Sequence, residues 1–179
     1  ESASASAPPR LRPQERRRIK GGKVYRRRIE SGYQNYERLP LPDSMAEKND
    51  AIQFEHWVHE QNAEIGSVIV LHGFAMGWPI IDAMAMSARQ WFARGFNVIL
   101  LTLPDHGAPG ALFSGQSFTV PHAVHLATAV RRAIHEIFEL KRWLRGQSDQ
   151  PVGLVGMSLG GYLASLTAGL SDDFDFLIP

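Results

Sequence analysis

An α/β fold is what this 179-residue chain predicts: a mostly parallel sheet with helices on both faces and antiparallel strands along its N-terminal edge. Three observations carry that expectation. Short apolar runs at Ser67–Leu71, Phe96–Leu103 and Val152–Val155 are each followed, after a loop, by a segment with helical spacing of its apolar residues. Two more strand-like segments, Val24–Ile29 and Ile52–Val58, come first with no helix pattern between them. The last apolar run passes into its helix through a turn built from glycines around one serine, Gly156-Met157-Ser158-Leu159-Gly160.

The elements follow in order. Residues 1–20 open with ESASASAPP and continue into an arginine-rich run, a composition that predicts a disordered basic arm. Residues 21–179 then form the folded domain. Val24–Ile29 is strand-like although three arginines interrupt it, and Ile52–Val58 places Ile52, Phe54 and Val58 on one face. Leu39-Pro40-Leu41-Pro42-Asp43 is a loop between them. Ser67–Leu71 is apolar without alternation, which suits a strand covered on both faces. One helix is expected over Trp78–Arg94, with Ile81, Met84, Ala88, Trp91 and Phe92 as its stripe and Gly95 as its stop. Phe96–Leu103 is a second buried strand. Asp105–Pro121 is a Gly-, Pro- and Ser-rich loop of a length that usually carries function. Val124–Leu144 is a long helix whose expected stripe is Leu126, Val130, Ile134, Ile137 or Phe138, and Leu144. Arg131, Arg132, Glu136, Glu139 and Arg142 are expected to face away. A helix over Tyr162–Leu170 and a short strand over Phe174–Ile178 complete six strands.

Composition narrows the function classes. A hydrophobic fraction of 44% is that of a globular domain, and the length supports one core. With no cysteine there is no disulfide framework, no thiol nucleophile and no thiolate metal site, and a reducing, cytoplasmic location is expected. No apolar run is long enough to span a bilayer. The net charge of +1 is unevenly spread, the first thirty residues holding ten Arg/Lys against three Glu. Such an arm suits contact with nucleic acid or an anionic membrane surface; we read it as a solvated tail and expect no nucleic-acid partner. Neither an H-E-x-x-H nor a G-x-x-x-x-G-K-[ST] pattern occurs, and no metal or cofactor is expected.

Ser158 sits at the centre of a G-x-S-x-G, the pattern of a nucleophile elbow, in which a strained strand-to-helix turn pushes a serine hydroxyl above a sheet. Side chains two positions either side of the serine would collide across the turn, so hydrogen alone fits there. A serine hydroxyl needs a base to take its proton and donors to stabilise the oxyanion it creates. The N–H of Leu159, at a helix N-terminus, is free for the second task.

Two further motifs extend the pattern. His72-Gly73-Phe74 follows the Ser67–Leu71 strand, and Asp105-His106-Gly107 follows the Phe96–Leu103 strand. With Gly156–Gly160 they lie in order, each on a strand end. In this the chain resembles the N-terminal two-thirds of an α/β-hydrolase, of the serine esterase or lysophospholipase-like kind, over Lys23–Pro179. The resemblance implies a carboxylesterase-type hydrolase that attacks a small acyl ester or thioester with Ser158. The second oxyanion donor is then the N–H of Phe74. It also implies that His72 supports its loop, and that Asp105 and His106 brace theirs. The loop residues Leu112, Phe113 and Phe118 are candidates for an acyl pocket or for ordinary packing.

In that family the acid and the histidine of the triad follow the nucleophile in the chain. No histidine follows Ser158 here, and Asp172, Asp173 and Asp175 precede or begin the last strand, the wrong end for the acid. The expectation is an incomplete, C-terminally truncated domain that is inactive as it stands. Its last strand would be left as an open edge, so the 179-residue piece alone is expected to be poorly soluble or molten. The rival readings are a non-catalytic binding or interaction protein of the same fold, and an unusual base such as His106 beside Ser158.

Overall fold

An interior strand, β4 (Gly66–Leu71), is buried along its whole length. In a computed structural model, which describes residues 13–33, 51–60, 64–107 and 123–179, seven strands form one sheet. They are β1 (Gln14–Ile19), β2 (Gly22–Glu30), β3 (Ala51–His59), β4, β5 (Phe96–Thr102), β6 (Val152–Gly156) and β7 (Phe176–Ile178). Their order across the sheet is β1-β2-β3-β5-β4-β6-β7. β1, β2 and β3 pair antiparallel with their neighbours, while β4, β5, β6 and β7 run parallel. The mostly parallel sheet with antiparallel N-terminal edge strands is the expected architecture.

Alternation along the strands divides the core in two. Ile69 and Leu71, Ile99 and Leu101, and Ile52 and Phe54 face helices α3 (Ala123–Arg145) and α4 (Leu159–Leu170), where Ala133, Ile137, Leu140 and Leu163 cover them. Val68 and Val70, Val98 and Leu100, and Val24 and Trp57 face the other way. There Met86, Ala88 and Phe92 of the α1 (Pro79–Ala85) and α2 (Ala88–Ala93) region cover them. Each fully buried aliphatic side chain contributes about 1.5–3 kcal/mol, so strands apolar at every position belong at the centre of a two-faced sheet.

Four expectations are corrected. The basic segment does not stay an arm up to residue 20: Gln14–Ile19 pairs with β2 through the two-residue link Lys20-Gly21. One of its charges is answered from the sheet, since Arg17 meets Glu55 at 3.1 Å and lies 5.1 Å over the Trp57 ring. Residues 1–12 lie outside the described residues.

The single helix expected over Trp78–Arg94 is two, broken where Ser87 takes a left-handed conformation with φ 54°. The break turns Ala88 and Phe92 onto the sheet and leaves Ile81 and Met84, two members of the expected stripe, exposed.

Of the stripe expected for α3, Ile137 and Leu144 are buried and Val130 and Ile134 pack half-buried against the core, but Leu126 is exposed, and Ala129, Ala133 and Leu140 complete the buried face. Glu136, expected to face away, is buried. It accepts hydrogen bonds from Arg132 (2.8 Å) and the Ser31 hydroxyl (3.3 Å), and these hold the chain after β2 against α3.

Candidate active site

The direction of strand addition reverses at β4, which has β5 on one side and β6 on the other. Segments leaving the carboxyl ends of β4 and β6 therefore frame a crevice, the usual ligand position in an open parallel sheet. Leu71 stands opposite Gly156 in register, and the N–H of Met157 donates to the Leu71 carbonyl at 3.2 Å. The residues that follow, His72-Gly73-Phe74 and Ser158-Leu159, thus emerge side by side.

Ser158 lies between β6 and α4 with φ 55° and ψ −115°, far from any basin a side-chain-bearing residue favours. Its side chain is exposed and makes no capping hydrogen bond to the helix it precedes. The turn closes because of its glycines. A Cβ on Gly156 would stand 2.3 Å from the carbonyl of Gly160, and one on Gly160 would stand 2.2 Å from the Leu71 oxygen and 2.8 Å from that of His72. These contacts are backbone and cannot yield, so the first turn of α4 rests directly on the end of β4.

His72 anchors the neighbouring segment. Its ring is buried and accepts a hydrogen bond at Nε2 from the Leu103 N–H at 3.1 Å. Because Nε2 supplies the lone pair, Nδ1 carries the hydrogen and donates to the Gly73 carbonyl at 2.8 Å. Burial pushes the imidazole down to about 4, so it is neutral at physiological pH and ties the end of β4 to the end of β5. Phe74 projects into solvent, 41% exposed. Among the described residues neither its N–H nor that of Leu159 has a hydrogen-bond partner.

The loop after β5 closes on the same place. His106 is buried, its Nδ1 2.9 Å from the Pro104 carbonyl, and its ring stands edge-on to His72 (4.8 Å) and to Phe74 (6.3 Å). Burial lowers its basicity also. Gly77 (φ 106°) and Gly107 (φ 68°) let the two loops touch through their backbones: a Cβ on Gly107 would fall 2.5 Å from the Gly77 carbonyl. Beneath this contact Asp82 of α1, 3% exposed, accepts the Gly77 N–H at 3.2 Å. Loss of hydration is the main cause that pushes its carboxyl up to about 6, and the charge of Glu55 adds to it.

The fold brings the segments of Ser158, Phe74 and Leu159 together. Asp175, by contrast, lies at the opposite end of the sheet, bonded to the Val152 N–H (2.7 Å) and to Arg145 (2.6 Å). His56 packs against Phe54 and Trp143, burial pushing it down to about 3, and His59 stacks on Phe92. His135 meets the Ser31 carbonyl at 2.7 Å. The side chains of His122 and His125, and the loop residues Leu112, Phe113 and Phe118, lie outside the described residues. Asp82 is the residue the sequence reading passed over. A lone acid near the start of a helix is ordinary, and the one hint was its place in an otherwise apolar Pro79–Ala85. Among the described residues no group of three or more His, Asp or Glu is set to hold a metal ion, and no helix is long and apolar enough to cross a membrane.

Residues 68–178 match the model of the alpha/beta hydrolase family. That is more than half of the chain, and the chain belongs to this family. Over 113 residues it is 34% identical to uncharacterised proteins of Mycobacterium tuberculosis strains CDC 1551 / Oshkosh and H37Rv; the match covers 59% of this chain and 26% of theirs. The chain thus spans about a quarter of those relatives.

Among solved structures it resembles a putative acetyl xylan esterase from Bacteroides fragilis (TM-score 0.68, 12% identity, 98% of this chain and 48% of that one). It also resembles a cold-adapted esterase from an Arctic intertidal metagenomic library (TM-score 0.65, 11% identity, 91% and 62%). At these identities the likeness is one of fold.

Proposed function

We propose that the full-length protein is a serine hydrolase that cleaves a carboxylic ester or thioester through an acyl-enzyme on Ser158. The observation that carries this reading is the backbone of Ser158: φ 55° and ψ −115° on an exposed serine, in a turn whose glycines admit no side chain. Strain of this kind is kept where it serves a mechanism. The Ser158 hydroxyl attacks the acyl carbon, and the carbonyl oxygen becomes an oxyanion that accepts from the N–H groups of Phe74 and Leu159. Fixed backbone donors suit that charge because they need no reorganisation, and removing one such donor costs about 10²–10³ in rate. Collapse of the tetrahedral intermediate expels the alcohol or thiol, and water then releases the acid.

His72 is not the base in this scheme. Both of its nitrogens are engaged and its conjugate acid is too strong. The base and its carboxylate partner come from residues of the full-length protein beyond the described ones. The esterase names of the structural neighbours favour esters over amides.

The test is labelling of the full-length protein with a fluorophosphonate probe, wild type against Ser158→Ala. Labelling that vanishes in the variant is the expected result, and labelling equal in both, or in neither, refutes the reading.

A further inference from the structure

We propose that Asp82 is a positioning residue of this site, holding the loop that carries the Phe74 N–H in the conformation acyl transfer requires. The inference rests on the reading of Ser158 as a nucleophile. Its argument is geometric. Asp82 stands one turn into α1, yet its carboxylate does not serve the helix's own first N–H groups. It reaches back past Trp78, which caps the helix with no side-chain hydrogen bond, to the N–H of Gly77. Gly77 holds a left-handed φ of 106° and lies against the backbone of Gly107 and the Cβ of His106. The His106 ring in turn stands edge-on to His72 and Phe74. The His72-to-Trp78 segment is therefore pinned at both ends, by the His72 ring at one and by Asp82 at the other, with Phe74 between the pins.

A neutral acceptor would meet the same N–H at less cost in hydration. The carboxylate gives the stronger, charge-assisted bond. Among the described residues no cation is paired with it. The group facing it from β3 is Glu55, whose own charge is taken up by Arg17 of β1 (3.1 Å) and by the Trp57 indole N–H (2.8 Å). Across Gly77 lies His106, itself made less basic by burial. A buried acid that adds nothing to a core and bonds one loop N–H is a plausible price only where that loop's geometry is used.

Full-length wild type, Asp82→Ala and Asp82→Asn are compared by the rate of fluorophosphonate labelling and by kcat and KM on a p-nitrophenyl ester, from pH 5 to 8. Displacement of a reacting group by about 1 Å costs up to about 10²-fold, so Asp82→Ala is expected to lower kcat and the labelling rate by about tenfold or more with KM little changed. Asp82→Asn is expected to recover most of that loss. The wild-type to Asn ratio is expected to be a few-fold at pH 8, on the scale of the stronger charged bond, and to approach one at pH 5, where the wild-type carboxyl is protonated. The base of the triad titrates alike in both proteins and cancels from this ratio. Ser158-dependent labelling that Asp82→Ala leaves unchanged, or an Asn ratio that does not vary with pH, overturns this inference alone. Absence of Ser158-dependent labelling in wild type overturns the reading of the site and this inference with it.

Discussion

Replacing Ser158 by glycine should make the protein more stable while removing its proposed nucleophile. At φ 55° and ψ −115° a residue with a Cβ is held outside the ordinary basins, which costs on the order of 1–3 kcal/mol. Glycine has no Cβ and escapes that cost, but its unfolded chain is freer by roughly 0.5–1 kcal/mol relative to alanine. The side chain is exposed and makes no capping bond, so no burial or hydrogen-bond loss enters. The net expectation is a gain of up to about 2.5 kcal/mol for Ser158→Gly over Ser158→Ala, since alanine keeps the strain. Urea unfolding of the two full-length variants measures the difference directly, with wild type close to the alanine variant. A glycine variant less stable than the alanine one by about the 0.5–1 kcal/mol of glycine's chain freedom would show that the turn stores no strain, and the observation on which the functional reading rests would lose its force.

The same backbone geometry predicts the reverse at Gly160. Gly160→Ala would set a Cβ 2.2 Å from the Leu71 carbonyl, and since both partners are main chain the first turn of α4 must move. A loss of about 2 kcal/mol or more is expected in urea, and an unfolding midpoint equal to wild type would contradict the packing of α4 on β4. Asp82 predicts a pH-dependent stability. Its carboxyl is raised from 3.8 to about 6 in the fold, so the native state binds the proton more tightly than the unfolded chain does. Wild-type stability therefore falls, from this group, as pH rises from about 4 through 6, by up to about 3 kcal/mol. Asp82→Asn, which cannot ionise, should match wild type near pH 4 and exceed it above pH 7. A variant less stable than wild type at pH 7.5 would reverse the sign and refute the assignment. A variant that is more stable yet slower would be the usual exchange of stability for activity at a site.

Much of the frame was legible before any coordinates. Ser67–Leu71 and Phe96–Leu103 read as doubly covered strands because unbroken apolar sequence has few other homes in a domain of this size, and β4 and β5 are such strands. The turn at Ser158 was legible for a local reason: a strained residue flanked by compulsory glycines writes its geometry into five consecutive positions. Less local features were misread. Gln14–Ile19 looks like a charged tail until Glu55, thirty-eight positions on, supplies the partner of Arg17. Glu136 looks like a surface residue of α3 until Ser31 and Arg132 bury it. The break at Ser87 leaves no proline or glycine to mark it.

By itself, then, the sequence determined where six of the seven strands lie, that the sheet is two-faced, and that one serine stands in a turn too tight for neighbouring side chains. These follow from periodicity and from steric limits acting within a few residues. Only the tertiary structure decided which stripe of α3 is buried and that β1 joins the sheet. It also decided that His72 ties two strand ends as a neutral imidazole, and that Asp82 holds the Gly77 N–H beside Phe74. Each of these depends on what packs against a residue from elsewhere in the chain. Burial, hydrogen-bond partners and basicity are properties of that environment, and residue order alone does not contain it.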